Sequence, residues 1–158
     1  MEAEPRSALD LLRAYSAAIQ ALHERGIVRT KNIVGCYAET LFARAFGWEL
    51  PASSNKAFDA TDGMRTYQIK SRRVSASNPS CQLGDMPKDN EITFDCLAAV
   101  IFEEDFSVRY AAVVPAPVLI GLRTRRDGRP RFIFRPAVLS VPGVEDVTER
   151  LRAAQATF

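Results

Sequence analysis

Polar and apolar residues alternate along residues 58–73, whose sequence is FDATDGMRTYQIKSRR. This two-residue period is typical of β-strands. The Asp-Gly pair at 62–63 divides the stretch, and such a pair between two alternating runs predicts a tight hairpin. Gln68 and Lys70 then project from one face of the second strand, because they are two residues apart. Asp59 is expected on the first strand, where the hairpin can bring its carboxylate towards that face.

Helical periodicity precedes this hairpin. Apolar residues three or four positions apart predict a helix over 7–26, capped by Ser7. A second helix is expected to start after Thr30 or Asn32 and to end before Gly47. The two helices could also form a helix-turn-helix DNA-binding module. We interpret the second one as a core helix, because it is too apolar to read DNA.

The pattern after the hairpin predicts a loop, two buried strands and a final helix. Residues 75–90 are rich in Ser, Asn, Pro and Gly, which indicates a long irregular loop. The apolar runs at 94–103 and 107–115 predict a central strand and its neighbour. Shorter elements are expected at 48–50 (strand), 115–122 (helix or turn) and 144–154 (helix). Together they indicate an α/β fold with a mixed central sheet of about four or five strands flanked by helices.

Composition narrows the class of protein. The chain has 158 residues, 47% hydrophobic and 25% charged, which suits one globular domain. No run of about 18 apolar residues and no signal-peptide pattern is present, so we expect a soluble, cytoplasmic protein with no membrane partner. The net charge of +2 is too small to identify a nucleic-acid binder. Three cysteines without metal-type spacing favour neither a disulfide framework nor a zinc site.

Positive charge is concentrated at 123–135, where the sequence contains six arginines and a single acidic residue, Asp127. A second Asp-Gly pair in this segment predicts another hairpin, and Phe132 and Phe134 share a face that should pack on the core. The arginines could protect a solvated sheet edge. Equally, they could form a patch that follows DNA phosphates, in which case the binding candidates are Arg123, Arg125 and Arg126.

The groups on the first hairpin suit hydrolysis of a phosphodiester. Mg²⁺, with Mn²⁺ as a substitute, prefers oxygen ligands that include one or two carboxylates. Asp59 can supply a carboxylate, and either the Gln68 side-chain oxygen or the Ile69 carbonyl a further ligand. Lys70 would place a positive charge beside the attacking water and the phosphate.

These residues resemble the motif of the PD-(D/E)xK, or restriction-endonuclease-like, superfamily. The matching positions are Glu39 on the preceding helix, Asp59, Gln68 and Lys70, and the resemblance covers roughly 32–115. The Gln-x-Lys form is similar to the Mrr-like branch. The chain departs from the commonest pattern in two ways, since no proline precedes Asp59 and Gln68 replaces an acidic residue.

The resemblance implies a single restriction-endonuclease-like domain over 1–158. Its parts would be the N-terminal helix at 7–26, a catalytic core at about 32–115, and a C-terminal hairpin and helix at 120–158. The implied function is a metal-dependent DNA endonuclease, with Glu39 turned towards the metal. One such site cuts one strand, so cutting both would need a homodimer or a partner. The alternative is a non-catalytic DNA-binding or regulatory module of a restriction, defence or repair assembly.

Polar and basic side chains around the hairpin are candidates for contacts with DNA phosphates. Asn55 and Lys56 belong to a polar loop before Asp59, which could equally be a plain linker. Ser71, Arg72 and Arg73 continue the second strand towards the substrate. Adjacent residues of a strand point to opposite faces, so at most one of the two arginines can face the cleft.

Overall fold

The computed structural model describes residues 6–52, 57–126 and 128–158, without the side chains of Arg125 and Arg126. Short 3₁₀ turns cover Asp89–Glu91 and Pro136–Ser140. The helices and strands, in chain order, are α1 (Ala8–Glu24), α2 (Ile33–Phe46), β1 (Ala60–Thr61), β2 (Thr66–Arg73), β3 (Gln82–Asp85), β4 (Cys96–Phe102), β5 (Val108–Pro115), α3 (Ala116–Leu122), β6 (Thr124–Arg126), β7 (Arg129–Ile133), β8 (Glu145–Asp146) and α4 (Thr148–Gln155).

The central sheet has five strands in the order β1-β2-β4-β5-β8. β2 and β4 are parallel, and the other neighbouring pairs are antiparallel. This mixed sheet confirms the predicted α/β class. β4 lies at the centre with all seven residues buried, as expected for a nearly continuous apolar run.

Each face of the central sheet carries its own hydrophobic core. Successive side chains of β4 point alternately into the two cores. Val100 belongs to the core with α2 and α4, and Ile101 belongs to the core with α3 and β7. Phe132 and Phe134 are fully buried in the second core, as predicted. The central sheet is therefore covered on both sides.

The predicted hairpin at 62–63 is present, but its turn is longer than a two-residue loop. Thr61 pairs with Thr66, so Met64 lies in the turn and not on the strand that the alternation predicts. The Asp62 side chain explains the length, because its Oδ1 accepts hydrogen bonds from the backbone N–H groups of Met64 at 2.8 Å and Arg65 at 2.6 Å. These bonds, with that from Arg65 the strongest, lower the pKa of Asp62.

A second sheet, with strand order β3-β7-β6, is absent from the sequence-based prediction. The predicted basic hairpin supplies β6 and β7. β3 falls inside 75–90, so the prediction of an irregular loop is wrong there. β3 exists because it pairs with β7, which lies far along the chain, and strand formation depends more on such partners than on local pattern.

Two short elements also differ from expectation. The predicted strand at 48–50 is reduced to one bridge between Glu49 and Thr61, since Trp48 turns into the core and stacks on Tyr67 with ring centroids 3.7 Å apart. The predicted helix at 144–154 begins later, because β8 first pairs with β5.

α1 has the predicted Ser7 cap, and α2 is capped by Asn32, one of its two predicted starting points. The Ser7 side chain accepts from the N–H of Asp10, and that of Asn32 from the N–H of Gly35. α2 buries its apolar face in the core, as predicted, whereas no residue of α1 is buried. Among the described residues, none of the helices combines the length and apolarity needed to cross a bilayer.

Candidate functional site

Asp59 lies at the outer edge of the central sheet, immediately before β1. Its backbone N–H donates to the Tyr67 carbonyl at 2.9 Å, and its Oδ2 accepts from the Ile69 N–H at 2.8 Å. Backbone N–H groups lie in the plane of a sheet, so the carboxylate sits beside the edge of β2. The first strand begins at Ala60, so the prediction that Asp59 belongs to it is wrong by one residue. The Asp59 side chain, and not its backbone, bonds to the Ile69 N–H.

Glu39 approaches this edge from α2. That helix packs on the face of β2 that carries Tyr67 and Ile69. The Glu39 side chain is 26% exposed, and its Oε2 accepts a hydrogen bond from Nη2 of Arg29 at 2.6 Å. Glu39 is thus a half-buried carboxylate in an ion pair, not a solvated helix glutamate.

Gln68 and Lys70 alternate with Tyr67 and Ile69 along β2 and so project from the opposite face. A cavity of about 410 Å³, here called the Lys70 cavity, nevertheless brings the predicted residues together. It wraps around the sheet edge, and its lining includes Glu39, Asp59, Gln68, Ile69, Lys70, Ser71 and Arg72. The four motif residues therefore share one cavity while coming from both sides of β2.

A second cavity of about 530 Å³, here called the Arg29 cavity, lies on the other side of the carboxylates. Its lining includes Arg29, Thr30, Cys36 and Phe58, and it shares Asn32, Glu39 and Asp59 with the Lys70 cavity. The two carboxylates therefore stand between two openings in the surface.

Burial raises the pKa of both carboxyl groups. For Glu39 the hydrogen bond from Arg29 opposes this rise in pKa, while the charge of Asp59 adds to it. For Asp59 the hydrogen bond from the Ile69 N–H is the largest effect that opposes the rise in pKa, and the charges of Lys70 and Arg29 oppose it less strongly. The two acids thus lie near enough to repel each other, and two cations partly offset that repulsion.

The donor set has the chemistry that a hard divalent cation requires. Within the described residues, each carboxylate uses one oxygen in a hydrogen bond, and the second oxygen has no protein partner. Gln68 and Ile69 line the same cavity, where an amide oxygen and a backbone carbonyl are the neutral oxygen donors that they can offer. Across the described chain no three His, Cys, Asp or Glu side chains cluster as an ion site, so the acidic donors here are two.

The neighbouring basic residues separate into two groups. Arg72 lines the Lys70 cavity and donates to the Gln82 carbonyl at 2.9 Å and to the Asn78 side chain at 3.1 Å. Arg73 points away, donates to the Glu104 carbonyl at 2.7 Å and stacks over Phe106. The structure therefore leaves Arg72 and Ser71, and not Arg73, at the cavity.

Arg123, one of the predicted DNA contacts, is bonded within the protein. Its side chain is 3% exposed and its guanidinium bonds to the Pro87 carbonyl and to Asp89. It ties the segment before β4 to the end of α3, which is a structural role. Asn55 and Lys56 lie outside the described residues, as do the side chains of Arg125 and Arg126.

Comparisons with known proteins add no family assignment. No protein-family model matches the chain, and no curated protein matches it significantly.

Arg29 is the site residue that sequence reasoning missed. It sits in the connection between α1 and α2, where it looks like one charge of an ordinary polar turn. The available signal was the buried pair Ile27 and Val28 just before it, which shows that this connection is anchored to the core. Asn32 was identified only as a helix start, yet it also borders both cavities.

Proposed function

We propose that this protein is a metal-dependent DNA endonuclease with a restriction-endonuclease-like core. One observation carries the proposal: Glu39, Asp59, Gln68 and Lys70, which come from one helix and one hairpin, line a single cavity at a sheet edge. Carboxylate and amide oxygens suit Mg²⁺ or Mn²⁺, and an ammonium group beside them suits a phosphate. The sheet-edge position also leaves room for a nucleic-acid backbone to approach.

In the proposed site Asp59 and Glu39 hold the ion, with the Gln68 amide oxygen or the Ile69 carbonyl as a neutral donor. When bound, Mg²⁺ supplies an activated water and neutralises charge on the phosphate. Lys70 is near enough to oppose the rise in the pKa of Asp59. Its ammonium can donate to a phosphate oxygen and stabilise the charge that develops as the water attacks.

The surroundings support these roles. The Ile69 N–H orients Asp59, so its free oxygen has a defined direction. Arg72 and Ser71 extend the cavity wall along β2, where they can contact the backbone of the bound strand. One such site cuts one strand, so cleavage of both strands requires a second copy of the chain or a partner.

A second candidate function is a DNA-binding or regulatory module without activity. This alternative is favoured by the small negative charge available to bind a metal ion, because Gln68 is neutral and Glu39 is already paired with Arg29. Such a module would bind DNA without needing a divalent ion.

Nicking of supercoiled plasmid with Mg²⁺, and with the ion removed by chelation, tests the proposal. Asp59→Ala and Lys70→Ala should each abolish nicking at a stability cost on the order of 1 kcal/mol or less. Lys88→Ala, at an exposed lysine, is the control and should nick normally. Wild-type nicking by Lys70→Ala would contradict the proposed role. A wild-type protein that binds DNA but neither binds Mg²⁺ nor nicks would favour the second candidate.

A further inference from the structure

Arg29 follows two buried residues, whereas its own side chain is partly exposed to solvent. Ile27 and Val28 before it are 3% and 2% exposed, and the Thr40 hydroxyl donates to the Ile27 carbonyl at 3.1 Å. The Arg29 side chain itself is 41% exposed. The guanidinium can therefore change partners without any rearrangement of the chain that carries it.

The guanidinium stands beside both carboxylates of the candidate site. It donates to Glu39 at 2.6 Å, and its charge also acts on Asp59. That is its one hydrogen bond in the part of the chain that the structure describes. Arg123 is different, because it is almost fully buried and held by both a carbonyl and a carboxylate.

A divalent cation and this guanidinium would compete for Glu39. Both are attracted by the same pair of negative charges, and a hard cation gains most from carboxylate ligands. Because the Arg29 side chain is 41% exposed, water can solvate the guanidinium when a divalent cation takes its place beside Glu39. A released guanidinium in the wall of the Arg29 cavity can then form the paired hydrogen bonds that phosphate oxygens accept.

We infer that Arg29 is a displaceable counter-ion, which pairs with Glu39 until a divalent cation binds and then contacts a DNA phosphate beside the one attacked. This inference rests on the proposed function. It makes metal binding and DNA binding cooperative at one residue, since the ion frees a phosphate-binding group.

Nuclear magnetic resonance of ¹⁵N-labelled arginine side chains during a Mg²⁺ titration tests the release directly. The Arg29 signal, assigned by its absence in Arg29→Ala, should shift and saturate with the dissociation constant found by calorimetry. Arg109 is the control, because it is 47% exposed and pairs with Glu103 at 3.4 Å away from the site. Its signal should not move.

Two outcomes of this titration overturn different claims. If calorimetry shows Mg²⁺ binding and the Arg29 signal stays unchanged, displacement is wrong while the proposed function stands. If the wild-type protein binds neither Mg²⁺ nor Mn²⁺, the proposed function and this inference both fail.

DNA affinity tests the second half of the inference. In a Lys70→Ala background, which prevents cleavage, Arg29→Ala should weaken binding to a DNA duplex about tenfold with Mg²⁺ present and leave it unchanged without the ion. Arg29→Gln, which keeps the side-chain stem, should behave alike if Arg29→Ala folds poorly. An equal loss in both conditions would show a permanent phosphate contact, and no loss in either would remove the phosphate role. Each result would overturn the inference.

Discussion

The carboxylate of Asp59 accepts a 2.8 Å hydrogen bond from the backbone N–H of Ile69. A candidate metal ligand is thus held by the same strand that carries Gln68 and Lys70. Any shift of β2 would move all three together, so their relative positions do not depend on a flexible loop. The relationship also places a half-buried carboxylate at the sheet edge, which has a consequence for stability.

Asp59→Asn should stabilise the protein at about pH 7 in the absence of divalent ions. Burial raises the pKa of Asp59 above its unfolded value, so its ionisation costs stability. That cost is absent below the unfolded pKa of about 4 and appears as the pH rises through the folded pKa. Urea denaturation should therefore show a gain at neutral pH that vanishes near pH 3. Equal or lower stability at neutral pH would contradict the prediction.

Asp105→Asn provides a control of opposite sign. Hydrogen bonds from Ser107, chiefly from its hydroxyl, lower the pKa of Asp105. Its ionised form therefore favours the folded state, and the Asn variant should lose stability at neutral pH and not at low pH.

Gln68→Glu should strengthen metal binding. The substitution adds a third carboxylate to the Lys70 cavity, and hard cations gain most from such ligands. Calorimetry with Mg²⁺ or Mn²⁺ should show a several-fold higher affinity. Gln82→Glu is the matched control, because it adds the same charge to another wall of the cavity and should change affinity less. An unchanged affinity in Gln68→Glu would remove Gln68 from the ligand set.

Arg123→Ala should destabilise the fold and leave DNA binding intact. Its buried guanidinium is bonded to the Pro87 carbonyl and Asp89, and charge-assisted hydrogen bonds contribute about 1.5–3 kcal/mol. The free energy of unfolding should fall by roughly that amount in chemical denaturation. Arg129→Ala, at an exposed position of β7, should cost little. Weaker DNA binding by folded Arg123→Ala would instead support the residue as a DNA contact.

Neutralising Arg125 and Arg126 together should flatten the salt dependence of DNA affinity. Each phosphate contact releases a counterion, so the slope of log affinity against log salt should fall by roughly 1–2 if both contact DNA. Binding should weaken uniformly across DNA sequences. A slope equal to that of the wild-type protein would identify the basic hairpin as a solvated sheet edge.

Several elements follow from the amino-acid sequence alone, because their signals are local. Asn32 and Gly47 bound α2 through contacts with residues three or four positions away. The apolar run at 94–103 predicts a buried central strand wherever it lies in the fold. The order of Glu39, Asp59, Gln68 and Lys70 likewise indicated which residues to expect at one site.

Tertiary structure decided what depends on partners distant in the chain. β3 is a strand because β7 pairs with it, and Arg123 is buried because Pro87 and Asp89 surround its guanidinium. The turn at Asp62 and the bond from Ile69 put Asp59 beside the sheet edge, a position that alternation along the strand could not predict. The Arg29–Glu39 pair exists only because packing brings the connection after α1 against α2. Periodicity reports which side of an element is buried, whereas the identity of the opposing charge is set by how the elements pack.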